Sequence, residues 1–185
     1  MWVDVLILAS LRAQPRHGYE IKRSIEQIFG GMFSLTNSTL YPALKRYEEM
    51  GAVARQVVRQ EGKPDRHIFS LTDRGEAVLH DVLCDFPPEV ARREAEFLVR
   101  IAFLALLAPE ERIAVLETRQ SMVRQRRANL PRLREGLRDP LLAPDIERLI
   151  ALREDQWQVE LEWIETALAE QRRWLPDPVG HSEES

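Results

Sequence analysis

Ser38-Thr39-Leu40-Tyr41-Pro42-Ala43-Leu44-Lys45-Arg46-Tyr47-Glu48-Glu49-Met50-Gly51 is the stretch that decides how this chain reads. Leu40, Leu44 and Tyr47 recur at helical spacing and give the segment one apolar face. Asn37, Ser38 and Thr39 at its start, with Tyr41, Pro42, Lys45 and Arg46, supply a second face rich in hydrogen-bond donors and positive charge. A short helix with a seated back and a basic, polar front is the shape that lies in a DNA major groove.

The flanks turn that helix into a unit. Upstream, Tyr19 to Phe29 carries Ile21, Ile25 and Ile28 at helical spacing and stops at Gly30-Gly31, where a residue free to turn left-handed closes the last turn. This segment is expected to be the first helix of a helix-turn-helix. Downstream, Val53 to Arg59 and Arg66 to Leu71 are β-branched or apolar runs separated by Gln60-Glu61-Gly62-Lys63-Pro64-Asp65, whose Gly and Pro mark a turn. Helix, helix and hairpin in that order predict a winged helix.

With these motifs in place the chain resembles the PadR-like transcriptional regulators, a family of bacterial winged-helix repressors. The resemblance runs from residue 3 to residue 75: an apolar helix from Val3 to Leu11, then His17-Gly18-Tyr19-Glu20-Ile21, then Thr39 to Leu44 with Glu48, Glu49 and Gly51 behind it, then Gly62 to Pro64, then Leu71 to Gly75. Ser38 stands where the family usually has Gly, Ala52 where it has a bulky aliphatic, and Asp65 interrupts the basic tip of the wing. The resemblance implies a homodimer that represses by binding double-stranded DNA. Tyr19, Asn37, Ser38, Thr39, Tyr41, Pro42, Lys45 and Arg46 are the expected contacts of the helix-turn-helix, and Lys63 and Arg66 those of the wing.

Composition fits an ordinary globular protein. The chain has 185 residues, 44% hydrophobic and 30% charged. Its longest apolar runs, Val5 to Ala9 and Ile101 to Ala108, are far too short for a bilayer, and the single Cys84 has no internal disulfide partner, so a cytoplasmic setting is expected. A net charge of −4 opposes DNA binding if spread evenly. It is uneven: residues 1 to 80 carry +2 and residues 81 to 185 carry −6. The acidic half is expected to face away from DNA.

The second half has a different grammar. A helix begins after Thr72 and is broken at Phe86-Pro87-Pro88; beyond it the chain is poor in Gly and rich in Ala, Leu, Arg and Glu. Three long helices are predicted, over 89 to 107, 109 to 135 and 145 to 174. The domains expected are a winged helix at 1–86, a helical dimerisation domain at 87–176 and a disordered tail at 177–185. The fold class is mainly α with a small β-hairpin. In the last helix Ile146, Ile150, Trp157, Leu161, Ile164 and Leu168 keep a three-four rhythm, and a helix this long has little of its own protein to lie against. Ile150, Trp157, Leu161, Ile164 and Leu168 are therefore assigned to the seam with a second copy. The resemblance adds Val3 and Leu6 of the first helix to that seam.

Several residues also admit plainer readings. Pro42 fits the first turn of a helix as well as it fits a DNA contact. Tyr19 is expected to pack its ring, with its hydroxyl toward a phosphate. His67 reads as strand surface. No catalytic or metal-binding pattern appears and no cofactor is expected: His17, His67, His80 and His181 share no zinc-like spacing with Cys84, and no phosphate loop or nucleophile elbow occurs. His80 and Cys84 lie four apart on one helix, so a thiol- or metal-responsive regulator is one alternative; a protein-interaction module without DNA binding is another. Trp2, Phe97, Phe103, Trp157 and Trp163 are a heavy aromatic load that could surround an apolar cavity in a dimer, and core packing is the preferred reading. Some members of the family bind a small aromatic effector between subunits and others bind none.

Overall fold

The computed structural model describes residues 2–60, 63–136 and 139–174, the side chains of 59, 60 and 63–65 excepted. The tail expected at 177–185 and the side chain of Lys63 lie outside the described residues. The chain divides into two compact units, one of residues 1–85 with 95–106 and the other of 86–94 with 107–185.

In the first unit, α1 (Trp2–Ala13), α2 (Gly18–Phe29), α3 (Asn37–Glu49) and α4 (Asp73–Cys84) accompany a three-stranded antiparallel sheet of order β1 (Arg16–His17), β3 (Lys63–Leu71), β2 (Val53–Gln60). The sequence announces only the hairpin. β1 pairs Arg16 with Phe69 and His17 with Ile68, and His17 Nδ1 donates to the His67 carbonyl at 3.0 Å. A two-residue polar strand has no alternation to detect. Val5, Leu8, Ile21, Ile25, Leu40, Leu44, Leu79 and Leu83 are all buried. Ile28, expected with them, is 62% exposed, because α2 ends one residue later in left-handed Gly30 and its last turn projects past the core. Leu6, assigned to a dimer seam, is also core: α1 is buried without interruption from Val5 to Leu11, while Val3 stays half-buried. Leu6 is thus spent on the core of its own unit, whereas Val3, one turn earlier, keeps part of its surface.

Two glycines of the quoted motifs are fixed by space. A Cβ on Gly75 would lie 2.2 Å from the Ala52 carbonyl oxygen, because the first turn of α4 is pressed onto the strand start that Thr72 ties down. Thr72 receives the Gly75 N–H at 3.1 Å, donates its hydroxyl to the Gly51 carbonyl at 2.8 Å and caps α4. A Cβ on Gly18 would meet the Tyr41 hydroxyl at 2.9 Å, so the His-Gly-Tyr-Glu and Thr-Leu-Tyr-Pro motifs are neighbours in space.

Tyr47 is 4% exposed, and burial followed by a hydrogen bond to Asp4 pushes its phenol up to about 12, against the opposing pull of Arg46. The neutral ring is thus favoured in the folded state. The resulting stability, about 2 to 3 kcal/mol, is fully present below pH 10 and is lost as pH rises toward 12. Denaturant melts between pH 9 and 12 are expected to fall less steeply for Tyr47→Phe than for the wild type; equal slopes would reject the assignment.

The single break expected at 86/87 is replaced by a crossing back. The helix expected over 89 to 107 is divided into α5 (Pro88–Ala91), α6 (Glu94–Ala102) and a 3-10 turn (Leu104–Leu106), and residues 95–106 cluster with the first unit. The Ala91 carbonyl, which a continuous helix would bond to residue 95, accepts instead from Arg119 Nη1 at 2.5 Å. Arg100, 1% exposed, spends its guanidinium on the Leu83, Val82, Asp85 and Glu96 carbonyls and on the Glu96 carboxylate at 2.9 Å. It thereby caps the end of α4.

In the second unit, α7 (Pro109–Ala128) lies antiparallel to α9 (Ala143–Arg172), joined through α8 (Leu130–Glu135). The helix expected over 109 to 135 is interrupted because Pro131 has no N–H to give the Arg127 carbonyl. The assignment of the α9 stripe is overturned. Ile150, Leu161, Ile164 and Leu168 are buried within the chain; Leu161, with half-buried Trp157, packs on Met122 and Val123 of α7. Arg119 grips Glu160 at 2.5 and 3.0 Å, and Arg124 pairs with Glu165 and Arg172 with Glu117, both at 2.9 Å. The helix does have its own protein to lie against.

Candidate nucleic-acid interface

Thr36 is the N-cap of α3, and its hydroxyl sits 2.8 Å from that of Ser38 and 2.9 Å from that of Thr39. The first turn carries no acid, leaving the positive end of the helix dipole unopposed. Lys22 of α2 donates to Asn37 Oδ1 at 2.8 Å and joins the two helices at that end. Asn37, Ser38, Thr39, Tyr41, Pro42, Lys45 and Arg46 are exposed, as their outward placement required. Pro42 lies one turn deeper than expected, because α3 starts at Asn37; the Ser38 carbonyl therefore has no helical N–H to accept.

Tyr41 stands as a ridge, 47% exposed, between two grooves floored by His67 and Phe69 of β3. The larger, about 770 Å³, is walled by Tyr19, Arg23 and Arg66; the smaller, about 510 Å³, by Lys45, Glu49 and Arg55. Tyr19 corrects its expectation: its ring is 65% exposed, because Gly18, the residue before it, fills the inward position against Tyr41. The groove also gathers Arg23, which the sequence reading passed over. Its signal was the four-residue spacing from Tyr19, which puts both on one face of α2.

The two basic residues of α3 differ. Lys45 has a side chain 77% exposed and a loose ion pair with Glu49 at 3.8 Å. Arg46 is paired with Asp4 of α1, donates to the Tyr47 hydroxyl at 3.3 Å and stands 4.9 Å from the Tyr47 ring centroid. Elsewhere in this unit, Trp2 is 5.1 Å from Phe33 and Phe103 is 6.3 Å from Phe29, whereas Phe97 is buried. Cys84 Sγ lies 3.8 Å from His80 Nε2 on the exposed face of α4.

The model of the transcriptional regulator PadR-like family matches residues 7–81. The chain is 26% identical over 174 residues to the negative transcriptional regulator PadR of Bacillus subtilis, covering 88% of this chain and 93% of that one. It is 33% identical over 73 residues to the probable transcriptional regulator Rv1176c of Mycobacterium tuberculosis, 40% of this chain and 39% of that one. Among solved structures, Bacillus subtilis PadR in complex with operator DNA matches with a TM-score of 0.43 and 24% identity over 91% of this chain and 98% of that one. A transcriptional regulator from Clostridium thermocellum matches with a TM-score of 0.41 and 25% identity over 43% of this chain and 77% of that one. The matched segment runs from the core of α1 through α3 and the hairpin into α4, and over those residues the chain is similar to the PadR-like family of transcriptional regulators.

Proposed function

We propose that this regulator is a homodimeric repressor that reads a palindromic operator in the cytoplasm with the outward face of α3. The match of residues 7–81 to a family of transcriptional regulators supports a regulator over an enzyme, and no described helix is long and apolar enough to cross a membrane. The observation that carries the reading is the α3 face itself. An acid-free helix start with three clustered hydroxyls adjoins Tyr41 and Lys45, beside a groove walled by Tyr19, Arg23 and Arg66. Hydroxyls and amides that grip phosphates fix register, and the exposure of Lys45 and Tyr41 supports their reading of base edges. The name of the 26%-identical relative, a negative regulator, supports repression over activation.

A second copy is needed to read both half-sites, about 34 Å apart on one face of the duplex. With the inner stripe of α9 occupied by α7, the seam moves to the opposite face. Leu149, Leu152, Val159 and Trp163, between 44% and 66% exposed, keep three-four spacing through Gln156 and form an apolar row.

Anisotropy titrations with the chain's own upstream DNA and a scrambled duplex test the reading. Lys45→Ala is expected to weaken operator binding by about 1 to 3 kcal/mol and to relax selectivity at one position. Arg66→Ala is expected to weaken both duplexes alike, because a phosphate contact carries no base information. Equal affinity of the wild type for both duplexes at moderate salt would favour the protein-interaction alternative.

A further inference from the structure

We propose that Arg46, although it lies on the outward side of the recognition helix, is a positioning residue that acts through Asp4 of α1 and does not contact DNA. The proposal rests on the operator-binding reading above. The Asp4 side chain is 17% exposed, so its carboxylate depends on Arg46 for part of what water would otherwise supply. The Arg46 guanidinium is held on three sides: by that carboxylate, by the Tyr47 hydroxyl at 3.3 Å, and by the Tyr47 ring 4.9 Å away. Swinging it to a phosphate would break all three contacts and leave Asp4 half-desolvated beside a DNA strand of the same sign. Lys45, one residue earlier, has no such restraint, with 77% of its side chain exposed.

The cluster pins the C-terminal half of α3 to the first turn of α1, the most deeply buried helix of the unit. At the other end Lys22 holds Asn37. Two ties at opposite ends fix the roll of α3 about its axis, and that roll aims Thr39, Tyr41 and Lys45. Base readout tolerates displacements of only about 0.5 Å, whereas general phosphate attraction tolerates much more. Loss of the Asp4–Arg46 tie therefore damages selectivity and spares nonspecific affinity.

The experiment measures operator and scrambled-duplex affinity across a salt series for Asp4→Asn, Arg46→Gln, the double variant and Arg46→Lys. Each single change is expected to lower operator affinity about tenfold, a coupling usual for residues in contact, with scrambled-duplex affinity and salt slope unchanged. The double variant is expected to be no worse than the weaker single. Arg46→Lys is expected to behave like Arg46→Gln, since the shorter lysine side chain ends before the position of Nη2, the nitrogen that bonds both Asp4 and the Tyr47 hydroxyl. The proposal is overturned if Arg46→Gln lowers the salt slope by about 0.9 on both duplexes, the mark of one lost phosphate contact. It is overturned equally if Arg46→Lys retains wild-type operator affinity, or if the two single effects multiply in the double variant. Absence of selectivity in the wild type itself would instead defeat the operator reading on which this rests.

Discussion

Replacing Arg100 with alanine is expected to destabilise the winged-helix unit by about 3 to 5 kcal/mol, a large part of the 5 to 15 kcal/mol typical of a domain. The side chain is 1% exposed and satisfies the carbonyls of Val82, Leu83 and Asp85 at distances of 2.9 to 3.2 Å. It also neutralises Glu96, which is 0% exposed. Truncation leaves that carboxylate buried and unpaired and three carbonyls at the end of α4 without donors. The cost of uncompensated burial exceeds whatever the pair contributes when intact. Urea denaturation measures it as a lower midpoint at unchanged slope. Glu96→Gln in the Arg100→Ala background is expected to restore part of the loss, because an amide is less costly to bury than a carboxylate. A midpoint within 1 M of wild type for Arg100→Ala, corresponding to about 1 to 3 kcal/mol or less, would show that the site relaxes or admits water.

The second large effect belongs to the outer face of α9. Val159→Glu with Trp163→Glu is expected to convert the dimer to a monomer and to lower operator affinity about 10²- to 10⁴-fold, because the second half-site then binds as a separate event. Val159 and Trp163 are 66% and 44% exposed within the chain and lie outside the α7–α9 core of Met122, Val123 and Leu161, so the variant is expected to fold. Ile164→Glu provides the contrast. Ile164 is 0% exposed within its own chain, and a carboxylate there is expected to disrupt the two-helix pairing itself. Sedimentation distinguishes the cases: the outer variant sediments as a folded monomer, the inner one loses helicity. An outer-face variant that stays dimeric and keeps its operator affinity would place the seam elsewhere.

Local and long-range features of this protein differ in how far residue order alone fixes them. The recognition helix, the glycine stop at Gly30-Gly31 and the hairpin are local events. Each is set by residues within a few positions of one another: the apolar spacing of Leu40, Leu44 and Tyr47, left-handed glycines at φ of 56° and 82°, and β-branched runs around a turn. The outward face of α3 follows from the same spacing, so its exposed residues were legible as a set. The groove beside it was less so. Arg23 and the two-residue strand Arg16–His17 join it only because β1 zips onto β3, and no pattern of two residues announces a strand.

The helix-turn-helix, the wing and the polarity of α3 follow from residue order alone, because amphipathic spacing, capping and turn chemistry act within one element. Which element each buried face packs against is a matter of tertiary structure. An apolar stripe such as Ile150, Leu161, Ile164 and Leu168 states that it must be buried but not against what; the answer, α7 of the same chain, depends on α9 running back antiparallel to it. Buried Arg100 and Arg119 take backbone carbonyls as acceptors, which every residue type supplies, so no sequence pattern identifies those bonds. Arg46 and Lys45 are adjacent cations on one helix, and only the position of Asp4, forty-two residues away, separates the tethered one from the available one.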